Sequence, residues 1–396
     1  MHLKPVTTAL LFALGMGILT GCGSSGSDDK DTTSGKILSD WSTYQGNAEH
    51  NGYIPFTFNP ENFKLKWSVQ LGETGQLKPI ATADKTVFAV NSFLYAIDIE
   101  TGETKWNEDF SSLYSISPPA TGNGKVYLAS SGREDTFLWA LDQKTKALEF
   151  KKSFNSQWDD YYAPTVFADD IYYNGGNSGG VYASDNQDGL QLWFAQLHQY
   201  DQWTPAINEQ YVISYLGSNT GSYPGLLTAT NRIGGSTEFV IEDPDFDWSD
   251  WSMNLAPVLF KNQVFAINNG RLLSFDLQNR NITWQKDNQY SGQPVVANNT
   301  IYTISNGSVE ALNVLDGSRQ WSWIAGTSSE DHISGTMIIS NNLLFCSTEN
   351  ATYALDISTQ EVVWQTTEVG QLAIGGYGNL YIANPDGKLT SYSLTQ

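Results

Sequence analysis

Few side chains in this 396-residue chain are placed to do chemistry. It carries 42 acidic and 21 basic groups, 4 histidines and 2 cysteines, with a formal net charge of −21. Three stretches set carboxylates beside aromatic rings: Trp158-Asp159-Asp160-Tyr161-Tyr162, Tyr200-Asp201-Gln202-Trp203 and Asp243-Pro244-Asp245-Phe246-Asp247-Trp248-Ser249-Asp250-Trp251. Rings offer flat apolar area and attract cations over their faces, while carboxylates accept hydrogen bonds. Such a patch suits a basic or extended peptide, or a sugar, better than an anion. The same rings also suit the plainer task of plugging a channel mouth, and the residues alone leave both roles open. Alternating carboxylates over 243–250 offer oxygen ligands to calcium, but they lack the spacing and the Gly of an EF-hand loop.

Other chemistry is poorly supplied. His50, His198 and His332 are scattered, with no Cys or second His at zinc-ligand spacing, so no metal site is expected. Neither a phosphate-binding loop nor H-E-x-x-H occurs. The twofold excess of acid over base repels polyanions, which argues against nucleic acid or an anionic membrane as partner.

A repeat positions these stretches. Leu94 to Trp106 reads L-Y-A-I-D-I-E-T-G-E-T-K-W, a predicted β-hairpin with its turn at 98–102 and a Trp on the returning strand. Copies run over 138–150, 181–193, 272–284, 309–321 and 352–364, with a degraded one over 226–239 in which Thr230 replaces the Asp and Phe239 the Trp. Their starts lie roughly 37 to 46 residues apart, the period of a four-stranded propeller blade. Regular placement assigns Trp67, Trp106, Trp193, Trp284, Trp321 and Trp364 to packing between blades. It assigns Asp98, Asp142, Asp185, Asp276 and Asp356 to turn capping. Residues 64–69 read as a last strand without its hairpin, and 388–394 as a third strand without its last. Pairing the two closes an all-β ring of eight four-stranded antiparallel blades with no edge unpaired between first and last. The three acidic-aromatic stretches each precede a blade's first strand, which puts them on one face near the channel.

The N-terminus supplies an address. Lys4, an apolar core over about residues 10–19 and then Leu19-Thr20-Gly21-Cys22 make a signal peptide over 1–21 whose end resembles the bacterial lipobox. That resemblance implies a lipid on Cys22, and the polar Ser/Gly/Asp tract that follows suits a flexible tether over 22–38. Gly23 lacks the Asp that favours inner-membrane retention in sorted lipoproteins, so an outer-membrane anchor with a periplasmic domain over 39–396 is expected. Cys346 then has no thiol partner and is expected to be a small buried hydrophobe.

The motif A-x-D-x-x-T-G-x-x-x-W and the lead-in Trp41-Ser-Thr-Tyr-Gln-Gly46-Asn47 with His50-Asn51-Gly52-Tyr53 resemble the pyrroloquinoline-quinone-like repeat family over nearly the whole mature chain. Quinone dehydrogenases of that family use an adjacent Cys pair, which this chain lacks, so no cofactor is expected. With its lipobox and eight repeats, the chain resembles the family's lipoproteins of outer-membrane β-barrel assembly. The resemblance implies a non-catalytic scaffold, monomeric apart from its complex with an envelope protein partner, for which the β-barrel assembly machinery is the candidate. Carbohydrate or peptide binding at the aromatic-acidic face is the alternative, and a quinone- or calcium-dependent oxidoreductase is a more distant one.

Overall fold

Short runs of β-branched and aromatic residues, broken by Asn, Asp and Gly, build this protein almost wholly from strands. The computed structural model describes residues 36–72, 75–131, 136–156, 163–176, 179–197, 204–217, 225–247, 256–287, 289–325 and 332–395. Eight blades of antiparallel strands follow one another in chain order, the seventh extended by the short parallel strand Tyr53–Ile54 beside Ile339 and Ser340, and the first strands of neighbouring blades lie side by side. Blade 1 comprises Ala81–Ala83, Thr86–Val90, Phe93–Asp98 and Thr104–Asp109. The ring closes as the repeat predicts: Lys64–Gln70 pairs with Lys388–Ser393, Leu65 opposite Tyr392 and Trp67 opposite Ser391. Blade 8 is therefore shared by the two ends of the chain. Among the described residues the one helical segment is the 3-10 turn Pro60–Asn62, and no helix is long and apolar enough to cross a membrane.

Antiparallel order puts the turns between first and second strands, and the hairpins between third and fourth, at one end of every blade. This end is the hairpin face, and the opposite end is the loop face. At the hairpin face each Asp caps its own turn. Asp98 Oδ1 accepts from the amides of Glu100 (2.8 Å) and Thr101 (3.2 Å), and Asp142, Asp185, Asp276 and Asp356 do the same. The Trp of one blade then docks on the hairpin of the next. Trp67, Trp106, Trp193 and Trp284 donate through Nε1 to the carbonyls of Ile99, Gln143, Arg232 and Val314 at 2.9–3.1 Å. Gly235 is required under Trp193, because a Cβ there would come 2.7 Å from the indole and φ is +71°. Trp321 packs on Tyr302, and Trp364, which faces the blade without a closed hairpin, packs on Phe63 and Tyr392.

The degraded copy needs a correction. Its turn is capped by Asn231, whose Oδ1 accepts from the amides of Ile233 (3.1 Å) and Gly234 (2.8 Å), so Thr230 is not the Asp equivalent. Asn caps an Asx turn as Asp does, and counting by charge shifts the register by one residue. Phe239 does stand at the Trp position, and Arg280 of the next hairpin covers its ring at 4.7 Å, where the hairpins of blades 1, 3, 4 and 6 carry Gly102, Gly189, Gly235 and Gly317.

Residues 37–52 form a collar inside the hairpin end of the channel. Carbonyls of Trp41, Ser42, Ala48, Glu49, Asn51 and Gly52 accept from the amides of Thr82, Thr121, Ile207, Leu259, Val296 and Ile339 at 2.7–2.9 Å. These are the first strands of blades 1, 2, 4, 5, 6 and 7. Thr43 Oγ1 donates to Pro164 O just before the first strand of blade 3, and Ile37 and Leu38 donate to Gly376 O in blade 8. One segment thus visits every blade and satisfies channel-facing groups that would otherwise be buried unpaired. His50 braces the collar: it is fully buried, with Nδ1 2.7 Å from Tyr44 O and Nε2 3.0 Å from Pro205 O. Burial pulls its pKa down and the two carbonyls oppose that pull.

Candidate functional site

The hairpin end of the channel is filled by the collar, which leaves the loop face to be considered for recognition. Trp158, Asp159, Asp160, Tyr161, Trp203, Trp248, Asp250, Trp251 and Cys22 lie outside the described residues. Asp243, Asp245 and Asp247 are described, and the fold gives each a different task.

Asp243 ends the outer strand of blade 4 and is fully buried. Arg271, which opens the third strand of blade 5, donates to its two oxygens at 3.2 and 2.7 Å, and Tyr215 OH donates to Oδ2 at 2.6 Å. Burial, and after it the Asp243 charge, hold the Tyr215 phenol protonated. This buried pair with extra hydrogen bonds fixes blade 4 to blade 5, and Asp243 offers a partner nothing. Phe246 anchors the same segment from the other side. It sits between Gly217 and Gly225, where a Cβ would approach its ring within 2.0 and 2.2 Å.

Between those anchors Asp245 is exposed, and Asp247 is half-buried. Asp247 Oδ2 accepts from Asn269 Nδ2 at 2.8 Å, and its backbone exchanges bonds with the Asn268 side chain at 2.9 and 3.0 Å. Asp245 lines a cleft of about 520 Å³ with Asn269, Gly270, Arg271, Asp287 and Gln289. A second cleft of about 480 Å³ adjoins it across Gln285 and Asp287, lined also by Lys286, Tyr290, Glu310 and Arg319. Its floor repeats the first arrangement, because Glu310 is buried and accepts from Tyr290 OH (3.0 Å) and Arg319 Nη1 (2.9 Å). The walls are amides, carboxylates and guanidinium groups, which suit hydrogen bonding to a polar chain.

Sequence reasoning passed over Arg271, Tyr215 and Glu310. A usable signal was present: a basic residue opening a third strand, opposite an acid that ends the previous blade's outer strand. Lys388 and Glu368 repeat it between blades 8 and 7, with Nζ 2.6 Å from Oε1. Among the described residues no group of three or more His, Cys, Asp or Glu is arranged to hold a metal ion. A G-x-S-x-G string does occur at 176–180, but it joins two antiparallel strands of blade 3, whereas a nucleophile elbow needs a strand leading into a helix.

A family model described as "Outer membrane protein assembly factor BamB" matches residues 51–214 and 251–323. No curated protein matches the sequence significantly. Among solved structures, BamB from Moraxella catarrhalis is 14% identical with a TM-score of 0.61, covering 84% of this chain and 97% of that one. A europium-containing methanol dehydrogenase is 13% identical with a TM-score of 0.63, covering 90% and 98%. Quinohemoprotein alcohol dehydrogenase from Comamonas testosteroni is 15% identical with a TM-score of 0.68, covering 90% and 80%. At these identities the likeness is one of fold alone, and it spans enzymes and an assembly factor alike.

Proposed function

The chain belongs to the family of the outer membrane protein assembly factor BamB, and from that premise we propose that it is a non-catalytic scaffold for outer-membrane β-barrel assembly. In this reading Cys22 carries the lipid that holds it at the periplasmic side of the outer membrane. The loop face meets an envelope protein partner. The observation that supports the reading is the rigid polar cleft over blades 4 to 6, with exposed Asp245 on its wall and buried Asp243–Arg271 beneath it. A fixed floor holds recognition groups in register at little entropic cost on binding.

The residues present do not fit a quinone cofactor. Cys346 is buried in the core between blades 6 and 7, and the other Cys of the chain, Cys22, is far from it in sequence. The proposal therefore contains no redox step. Affinity purification of the full-length protein from envelope should recover barrel-assembly subunits, and Asp245→Lys should lower their yield at least severalfold with the melting temperature unchanged. Recovery of no such subunit would sink the reading. A glycan or peptide ligand lost on Trp203→Ala and Trp251→Ala would move the function to small-ligand binding at the same face.

A further inference from the structure

We propose that the hairpin face rests on a neutral lipid surface, an inference that builds on the lipid anchor of the reading above. Nine of the twelve large apolar side chains exposed among the described residues lie at this end of the blades. Leu65 opens the closing strand, Leu148, Leu190 and Val362 follow their hairpin turns, and Ile233 and Leu315 stand within theirs. Ile233 is 69% and Leu315 73% exposed. At the tip of a turn such side chains add nothing to the packing of the ring. Scattered at random they would need no account, but they recur at the same end of six blades.

The chain leaves the ring on this same face. Ile37 and Leu38 donate to Gly376 O in the first turn of blade 8, which places the exit at the mouth of the channel. About 14 residues separate Cys22 from Lys36, and a random-coil chain of that length spans about 20 Å on average. Crossing four strands outward and then climbing one strand to the loop face takes about 40 Å. At its average span an anchored chain would hold its hairpin face toward the bilayer, with the apolar tips nearest the lipid. Acids such as Glu100, Asp188 and Asp316 stand among those tips together with bases such as Lys64, Lys66 and Lys144, and it is the net charge of −21 that sets the chain against an anionic surface and not against a zwitterionic one. The loop face with its cleft then points away from the membrane.

The test uses full-length protein reconstituted through its anchor into phosphatidylethanolamine and phosphatidylcholine vesicles containing a nitroxide-lipid quencher. A fluorophore is attached at Ile233→Cys or Leu315→Cys on the hairpin face, or at Asp245→Cys on the loop face. Quenching at least about twofold stronger at the two hairpin positions is expected, and equal quenching, or more at Asp245→Cys, overturns the proposal. The anchor is read separately from the mass of the N-terminal peptide, so an unlipidated Cys22 defeats the anchor alone. In that case Cys22→Ser chain mixed with the same vesicles must still float with them. It must also lose about tenfold in partition on combining Leu148→Ser, Leu190→Ser, Ile233→Ser and Leu315→Ser, four exposed sites whose change leaves melting unaltered. No flotation, or no loss, overturns the lipid contact. Burial of the same probes in a concentration-dependent dimer without vesicles reassigns the face to a second copy of this chain.

Discussion

The two ends of the ring are stabilised by different kinds of interaction. At the hairpin face the bonds are local and repeated: an Asp or Asn binds amides two and three residues on, and a Trp reaches the next turn. At the loop face the strong interactions are fewer and join more distant residues, as with Asp243, which binds Tyr215 and Arg271, each 28 residues away. Repetition lets each hairpin lose one contact and keep its neighbours. A buried ion pair has no understudy.

The sharpest way to break that contrast is Asp243→Ala, which leaves Arg271 and Tyr215 buried without their acceptor. A loss of about 3–5 kcal/mol in denaturant unfolding is expected, and Asp243→Leu combined with Arg271→Leu should recover much of it. A loss under about 1 kcal/mol would erase the distinction. Next comes Gly235→Ala, where the added methyl meets Trp193 at positive φ. It should cost about 1–3 kcal/mol, visible as a lower melting temperature. Asp276→Asn keeps an acceptor and loses the charge, so its cost should stay within about 1 kcal/mol.

The smallest effect is in acid. Amide and side-chain bonds from Asn279 to Asp276, and from the Thr145 hydroxyl and amide to Asp142, hold both carboxyls below the usual range. A depressed carboxyl stabilises the fold above its unfolded value, near 4, and loses that contribution as pH falls through the folded value. The melting gap between wild type and Asp276→Asn should therefore shrink below about pH 4. Asp40 and Glu49 in the collar have the opposite sign, because burial raises them and protonation on acidification favours the folded form. If the gap widens in acid, the caps are not acting as charges.

What was legible before the structure was whatever repeats. Seven hairpins and the structural duty of Trp67 and Asp98 follow from local periodicity, because a hairpin's bonds are made by residues within about a dozen positions, and the closure of 64–69 on 388–394 follows because the two end fragments are complementary parts of one repeat. Thr230 shows where that reading slips: a search keyed on Asp misses an Asn that makes the same bonds.

Sequence by itself determined the blade, its turn chemistry and the number of blades in the ring, since each is encoded in a short window that recurs. Tertiary structure alone decided that the lead-in becomes a collar, that Asp243 is an internal ion pair while Asp245 faces solvent, and that scattered leucines share one end. Those outcomes depend on which groups meet after closure. Burial, and with it the cost of leaving a charge or an amide unpaired, exists only once the ring is complete.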